Sequence, residues 1–190
     1  MDRRQRIANA GIALIARGGT HRLTHRAVDT EAGLPNGSTS YYARSRRDLI
    51  RLVMEQLSAE SQADLTDIEV LGKLTVRQAT GLVGRLAERL ILNGDAQAAR
   101  FALMFEVRDD DELRRELTVD APVRRSFDEK AVELLRALGV ADPEEKAPEF
   151  VALVDAVLMY RAVDAAPIDP AGVVETYLDG LVRRKPTAAL

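Results

Sequence analysis

Asn36, Gly37, Ser38, Thr39 and Ser40, followed by Tyr41 and Tyr42, crowd amides, hydroxyls and small side chains into one short stretch. Those groups suit nucleic acid. Hydroxyls and amides can meet base edges and phosphates, and small residues allow close approach in a major groove. Arg44, Arg46 and Arg47 follow at once and offer cations to flanking phosphates. A helix starting near Asn36 would also aim its first backbone N–H groups and its dipole at a phosphate. By residue type alone, the same stretch equally suits a polar surface turn with ordinary arginines.

No other stretch offers comparable chemistry. His21 and His25 are the only histidines, both lie beside the same stretch, and there is no cysteine. Disulfides and thiolate metal sites are therefore excluded. Asp109, Asp110, Asp111 and Glu112 could offer oxygens to a hard cation. Capping of a following helix is the stronger reading of that acidic run. No GxxxxGK phosphate loop is present. We expect no enzyme, no metal and no cofactor.

The chain has 190 residues, 46% of them hydrophobic and 30% charged, an ordinary globular balance with enough material for a buried core. No apolar run approaches the roughly 18 residues of a membrane span. The basic start, Met1 to Arg6, leads into amphipathic sequence, unlike a secretory leader. A soluble cytoplasmic protein without membrane contact is expected. Charge is uneven. Residues 1–55 carry ten arginines against five acids, whereas the remainder carries 17 basic and 25 acidic residues. A basic head on an acidic body suggests that only the head meets a polyanion.

The elements that must carry these residues read as helix after helix. Ile7, Gly11, Leu14 and Ile15 share one helical face, and Gly18-Gly19 ends that helix. Thr24 can cap a short second helix that buries Ala27 and Val28 and stops at Gly33. Gly33-Leu34-Pro35 forms a tight turn with Leu34 as its apolar plug, and a helix from about Asn36 to Tyr42 follows. Ser45 with Asp48, and Thr75 with Gln78, are capping-box pairs that open two further helices. Asn93-Gly94 breaks the chain again. Asp142-Pro143 and Asp169-Pro170 read as N-cap and first-turn proline of the last two helices. No alternating strand pattern and no repeat is present. The fold class is all-α.

The stretch from Leu23 to Ile50 resembles the DNA-binding domain of the TetR (tetracycline repressor) family. Thr24, Arg26 and Val28 match the pattern of its second helix, and Ala32, Gly33 and Leu34 match the Ala-Gly-Val of its turn. Gly37 with Ser38, Tyr42, and then Ser45, Arg46 and Leu49 match the elements that follow. The match covers about the first quarter of the chain. Thr39-Ser40 stands where the family often has Leu-Tyr, and Ala43 where it often has Phe.

The resemblance implies an N-terminal three-helix helix-turn-helix domain and a C-terminal antiparallel helical domain for ligand binding and dimerisation. We place them at residues 1–47 and 48–185, with a tail at 186–190. It implies that Thr24 and Tyr42 touch phosphates with Arg46 beside them. Arg26, Asn36, Ser38, Ser40 and Tyr41 are candidates for base or groove contacts, and Gly37 and Thr39 complete the surface. Phe101, Met104, Phe105, Phe127 and Tyr160 are candidate walls of an effector pocket. Val154, Val157, Leu158, Val174, Tyr177, Leu178 and Leu181 are candidate residues of a homodimer interface. The implied function is a repressor released from a palindromic operator in double-stranded DNA by a small-molecule effector. The competing reading is a helical adaptor that binds protein and not DNA.

Overall fold

The computed structural model describes residues 1–66 and 68–183. The expected tail at 186–190 lies outside the described residues. Ten α-helices and one short 3-10 turn, with no strand, make up the described residues. In chain order they are α1 (Arg3–Gly18), the 3-10 turn (Thr20–Arg22), α2 (His25–Glu31), α3 (Ser38–Tyr42) and α4 (Arg46–Thr66). Then come α5 (Val76–Leu92), α6 (Gly94–Glu106), α7 (Asp111–Leu117), α8 (Pro122–Ala137), α9 (Pro143–Ala162) and α10 (Pro170–Arg183).

The punctuation follows the chemistry of the residues at each end. Asp2 and Gln5 form a reciprocal capping box on α1, and Gly19 leaves that helix at φ 79. The Thr24 hydroxyl accepts the Ala27 amide and starts α2. Ser45 with Asp48, and Thr75 with Gln78, make their boxes. Asp110 accepts the Leu113 amide at the start of α7, so the acidic run caps a helix. Asp142 departs from expectation. It sits at φ 53 and its side chain makes no capping bond, so the start of α9 rests on Pro143 and on the Asp142 carbonyl, which accepts the Lys146 amide at 3.2 Å. Asp169 does accept the Ala171 amide at the start of α10.

The chain folds as two compact units. Residues 1–62 and 93–123 form the first, which holds α1 to α3, most of α4, and α6 and α7. Its core contains Ile7, Ile15, Leu23, Val28, Leu49, Val53, Leu103 and Val107, all nearly or fully buried. Each such side chain contributes about 1.5–3 kcal/mol over an exposed one. Gly11 lets α1 lie close to α4, since a Cβ there would stand 2.5 Å from Val53 Cγ2 and 3.1 Å from Leu23 Cδ1. This packing does not follow the seam at 47/48 read from the sequence. Helices α6 and α7 share a core with the N-terminal helices because Ala99, Leu103, Val107 and Leu113 bury into it.

The second unit comprises residues 63–92 and 124–190, of which those up to 183 are described. Its core joins Ala79 and Val83 of α5, Leu134 and Leu135 of α8, Phe150 and Val151 of α9, and Val174, Leu178 and Leu181 of α10. Phe150 stacks on Tyr177 with ring centroids 5.9 Å apart.

Candidate DNA-binding surface

Helix α2, the turn and α3 form one tightly tied hairpin of helices. Gly33 takes φ 61, where a side chain would strain the backbone, and so reverses the chain sharply. Leu34 packs against the first core as the expected plug, and its amide donates to the Asp29 carbonyl at 2.8 Å. Arg6 of α1 donates to the Ala32 carbonyl at 2.6 Å and holds the turn from outside.

Asp29 is the central tie. It is only 1% exposed, yet its carboxylate accepts three hydrogen bonds. The Gly37 amide donates to Oδ2 at 2.7 Å, while the Thr39 amide and hydroxyl donate to Oδ1 at 2.7 and 2.6 Å. Burial alone would raise this carboxyl, but the Thr39 hydroxyl and the two amides hold it below its ordinary value. It stays ionised at neutral pH. At the far end of α3, His25 Nε2 donates to the Ala43 carbonyl at 2.8 Å.

These bonds correct two expectations. Thr39 is fully buried and its hydroxyl is committed to Asp29, so it is removed from the groove-contact set. The first amides of α3 are occupied by a carboxylate of the same chain, which displaces the DNA phosphate expected there. Neither was legible in the sequence, because the pair is ten residues apart and an aspartate within a short helix reads as a surface residue.

All but one of the remaining residues of the stretch face outward. Tyr41 is 83% exposed, and Thr24, Arg26, Asn36, Gly37, Ser40 and Tyr42 are exposed too. Ser38 is half-buried and donates to the Pro35 carbonyl at 2.6 Å. Tyr42 meets Tyr41 edge to face at 5.2 Å. Arg3, Arg22, Arg26 and Arg44 are exposed and make no ion pair or side-chain hydrogen bond among the described residues.

Arg46 is different. It donates to the carbonyls of Leu23 and Thr20 at 2.7 and 2.9 Å and to Glu106 at 2.8 Å. Thr20 adds its own hydroxyl to Glu106 at 2.7 Å. Arg46 therefore fastens α4 to the 3-10 turn and to α6, with its charge already matched. Arg47 binds Asp110 through two bonds and Glu112 through one, and Arg51 binds Glu116 and Glu112. Two of the three arginines that sequence reading grouped as phosphate contacts are thus engaged within the first unit. Arg44 stays open, and Arg22 joins it as a cation that sequence reading missed.

The family model for the tetracyclin repressor-like C-terminal domain matches residues 74–184, more than half of the chain. The chain belongs to the TetR family. Membership makes it a DNA-binding transcriptional regulator and not an enzyme, with an N-terminal helix-turn-helix and a C-terminal helical domain. Among solved structures, a transcriptional regulator from Rhodococcus sp. Rha1 has a TM-score of 0.78 at 14% identity, over 96% of this chain and 97% of that one. A TetR-family member from Streptomyces coelicolor A3 has a TM-score of 0.69 at 24% identity, over 95% of this chain and 98% of that one. The multidrug binding protein EbrR, complexed with proflavin, has a TM-score of 0.60 at 26% identity, over 95% of this chain and 99% of that one. No curated protein sequence matches the chain.

The expected pocket residues of this TetR chain divide between the units. Phe101, Met104 and Phe105 lie on one face of α6 in the first unit, with the Arg100 guanidinium 4.3 Å above the Phe101 ring. Phe105 is 73% exposed. Phe127 belongs to the second unit and packs on its core, and Tyr160 of the same unit is exposed. A cleft of about 200 Å³ lies between α1 and α4, lined by Asp2, Arg4, Gln5, Leu52, Glu55 and Gln56, and none of the five lines it.

Five of the seven expected dimer residues need a correction, while Val154 and Tyr177 are half-buried. Val174, Leu178 and Leu181 are buried in the protomer's own second core, and Val154 and Tyr177 pack against it. Val157 and Leu158 are buried as well. Apolar residues encircle α9, so sequence periodicity could not tell its inner face from its outer one. The outward stripe is Ala152, Ala156, Tyr160 and Val163, with Met159 half-buried beside it.

Proposed function

We propose that this TetR-family chain is a repressor that acts as a homodimer on a palindromic operator and leaves it when a small molecule binds. The observation that supports operator reading is the first unit's surface. Asn36, Ser40 and Tyr41 stand outward beside Arg22, Arg26 and Arg44, whose charges no carboxylate matches among the described residues. Ser40, Tyr41 and Asn36 read base edges, with Arg26 beside them. Thr24, Tyr42, Arg22 and Arg44 meet phosphates. In functional terms, residues 1–47 carry the readout and residues 48–185 carry effector binding and dimerisation.

One short helix reads only a few base pairs, so two copies are needed. The outward stripe of α9 offers the surface for a two-fold contact, since a symmetric pair meets through the same patch on both chains. The effector contacts the exposed α6 face of Phe101, Met104 and Phe105, which supplies adaptable apolar surface. The likeness to a multidrug binding protein holding proflavin supports a planar aromatic effector class. Release follows if the effector prefers a conformation with mis-spaced recognition helices. No helix among the described residues is long and apolar enough to cross a membrane, which is in keeping with a cytoplasmic regulator.

The test is selection from random duplex DNA with the purified chain, followed by anisotropy titration of the enriched duplex with and without proflavin. Enrichment of an inverted repeat, and its release by the dye or another aromatic cation, is expected. Enrichment of no duplex at modest salt would overturn the reading.

A further inference from the structure

Helix α3 has five residues, and so short a helix cannot hold its own conformation in water. Its N-cap, Gly37 at φ 89, supplies no side-chain cap of its own. Both ends are instead gripped by α2. His25 and Asp29 stand four positions apart on α2, which places them on the same face one turn from each other. Asp29 takes the amides of Gly37 and Thr39 and the Thr39 hydroxyl at the start of α3, while His25 takes the Ala43 carbonyl at its end.

We propose that His25 and Asp29 are positioning residues for sequence readout: a two-point clamp that sets the rotation of α3 about its own axis. With Thr39 pinned inward, its neighbours Ser40 and Tyr41 are turned outward. A carboxylate suits the task. It accepts several N–H and O–H donors at once and places negative charge at the positive end of the helix. An asparagine in its place would turn NH₂ donors towards the Gly37 or Thr39 amide, a donor against a donor.

The inference rests on α3 being the element that reads DNA. It separates two quantities that usually move together. Sequence-independent affinity comes chiefly from the charges of Arg22 and Arg44 on phosphates, which lie outside α3, with Tyr42 the one phosphate contact that α3 itself carries. Sequence preference comes from side-chain geometry at base edges, which depends on how α3 is rotated. A loosened clamp should cost the second and spare the first.

The experiment measures affinity of the full chain for the duplex enriched by the wild type and for a scrambled duplex of equal length. Variants are Asp29→Asn, His25→Ala and Thr39→Val; the last removes only the hydroxyl donor and keeps both amide bonds. Asp29→Asn and His25→Ala should lose about tenfold or more on the enriched duplex while changing less than about twofold on the scrambled one. Thr39→Val should fall between them and the wild type. Equal losses on both duplexes in a folded variant, or no loss on either, would overturn the clamp. If Asp29→Asn unfolds, Thr39→Val decides, and an unchanged preference there overturns it. A wild type that enriches no duplex overturns the reading of α3 and the clamp with it. A variant that keeps the wild-type affinity and preference overturns the clamp alone.

Discussion

Arg46 on α4 and Glu106 on α6, sixty positions apart in the chain, stand 2.8 Å from each other, and both also bond the 3-10 turn at Thr20. By its place in the sequence this arginine is a candidate for the DNA phosphates. Here it is a strut within the first unit. The consequence for DNA binding can be measured.

Arg46→Ala should change the slope of log affinity against log salt by clearly less than one unit, because Glu106 already matches its charge. Arg44→Ala should lower that slope by about one. The variant at 46 should instead lower the stability of the first unit by about 1 kcal/mol, since the Leu23 and Thr20 carbonyls lose a charged donor at a half-exposed site. Salt titration by fluorescence anisotropy and urea melting separate the two outcomes. A full unit of slope lost at 46 would return Arg46 to the phosphates.

Acid should loosen the first unit. The Arg47 guanidinium, with the Leu113 amide, draws the Asp110 carboxyl down from 3.8 to about 2. Arg46 and Thr20 lower Glu106, and Arg51 lowers Glu116. A carboxyl depressed on folding contributes stability above its unfolded value and loses it as pH falls through the folded one. Stability should therefore decline between about pH 4 and pH 2. Asp110→Asn should flatten that decline in melts followed by circular dichroism, and an unchanged acid limb would discount the pair.

Gly11→Ala should destabilise the chain by about 1–3 kcal/mol through overpacking. The added methyl would meet Val53 Cγ2 at 2.5 Å, and Val53 is fully buried in the first core. Val53→Ala in the same chain should recover part of the loss. Urea denaturation of the single and double variants checks it, and additive losses would show that the two sites do not meet.

On α9 and α10, inward and outward substitutions should behave differently. Leu178→Ala empties a fully buried position and should cost about 2–5 kcal/mol of folding stability. Ala156→Glu places a charge on the outward stripe and should leave the protomer folded while shifting the proposed dimer to monomer in sedimentation velocity. A dimer unaffected by Ala156→Glu would move the two-fold contact off that stripe.

The helix order, both capping boxes and the glycine turn were legible because they depend on neighbours in sequence. Ser45 with Asp48 and Thr75 with Gln78 announce themselves three residues apart. What escaped depends on distant partners or on choosing between similar faces. Asp29 finds Thr39 only after the chain reverses at Gly33, and Arg46 finds Glu106 only after α5 has intervened. On α9, apolar residues on every side gave periodicity nothing to choose between. The assignment of α6 and α7 to the first core was hidden for the same reason. Leu103 and Val107 show that a face is buried, but not against which helix.

That shared core bears on how the DNA reader could be transplanted. A fragment cut after residue 47 would leave behind Val53, Leu103, Val107 and Leu113, which bury with Ile7, Leu23 and Val28. It would also lose Glu106 from the Arg46 strut. The compact unit that holds those helices is a discontinuous body, residues 1–62 with 93–123. Swapping operator preference between relatives is therefore better done by grafting side chains onto α3 than by exchanging the N-terminal segment whole.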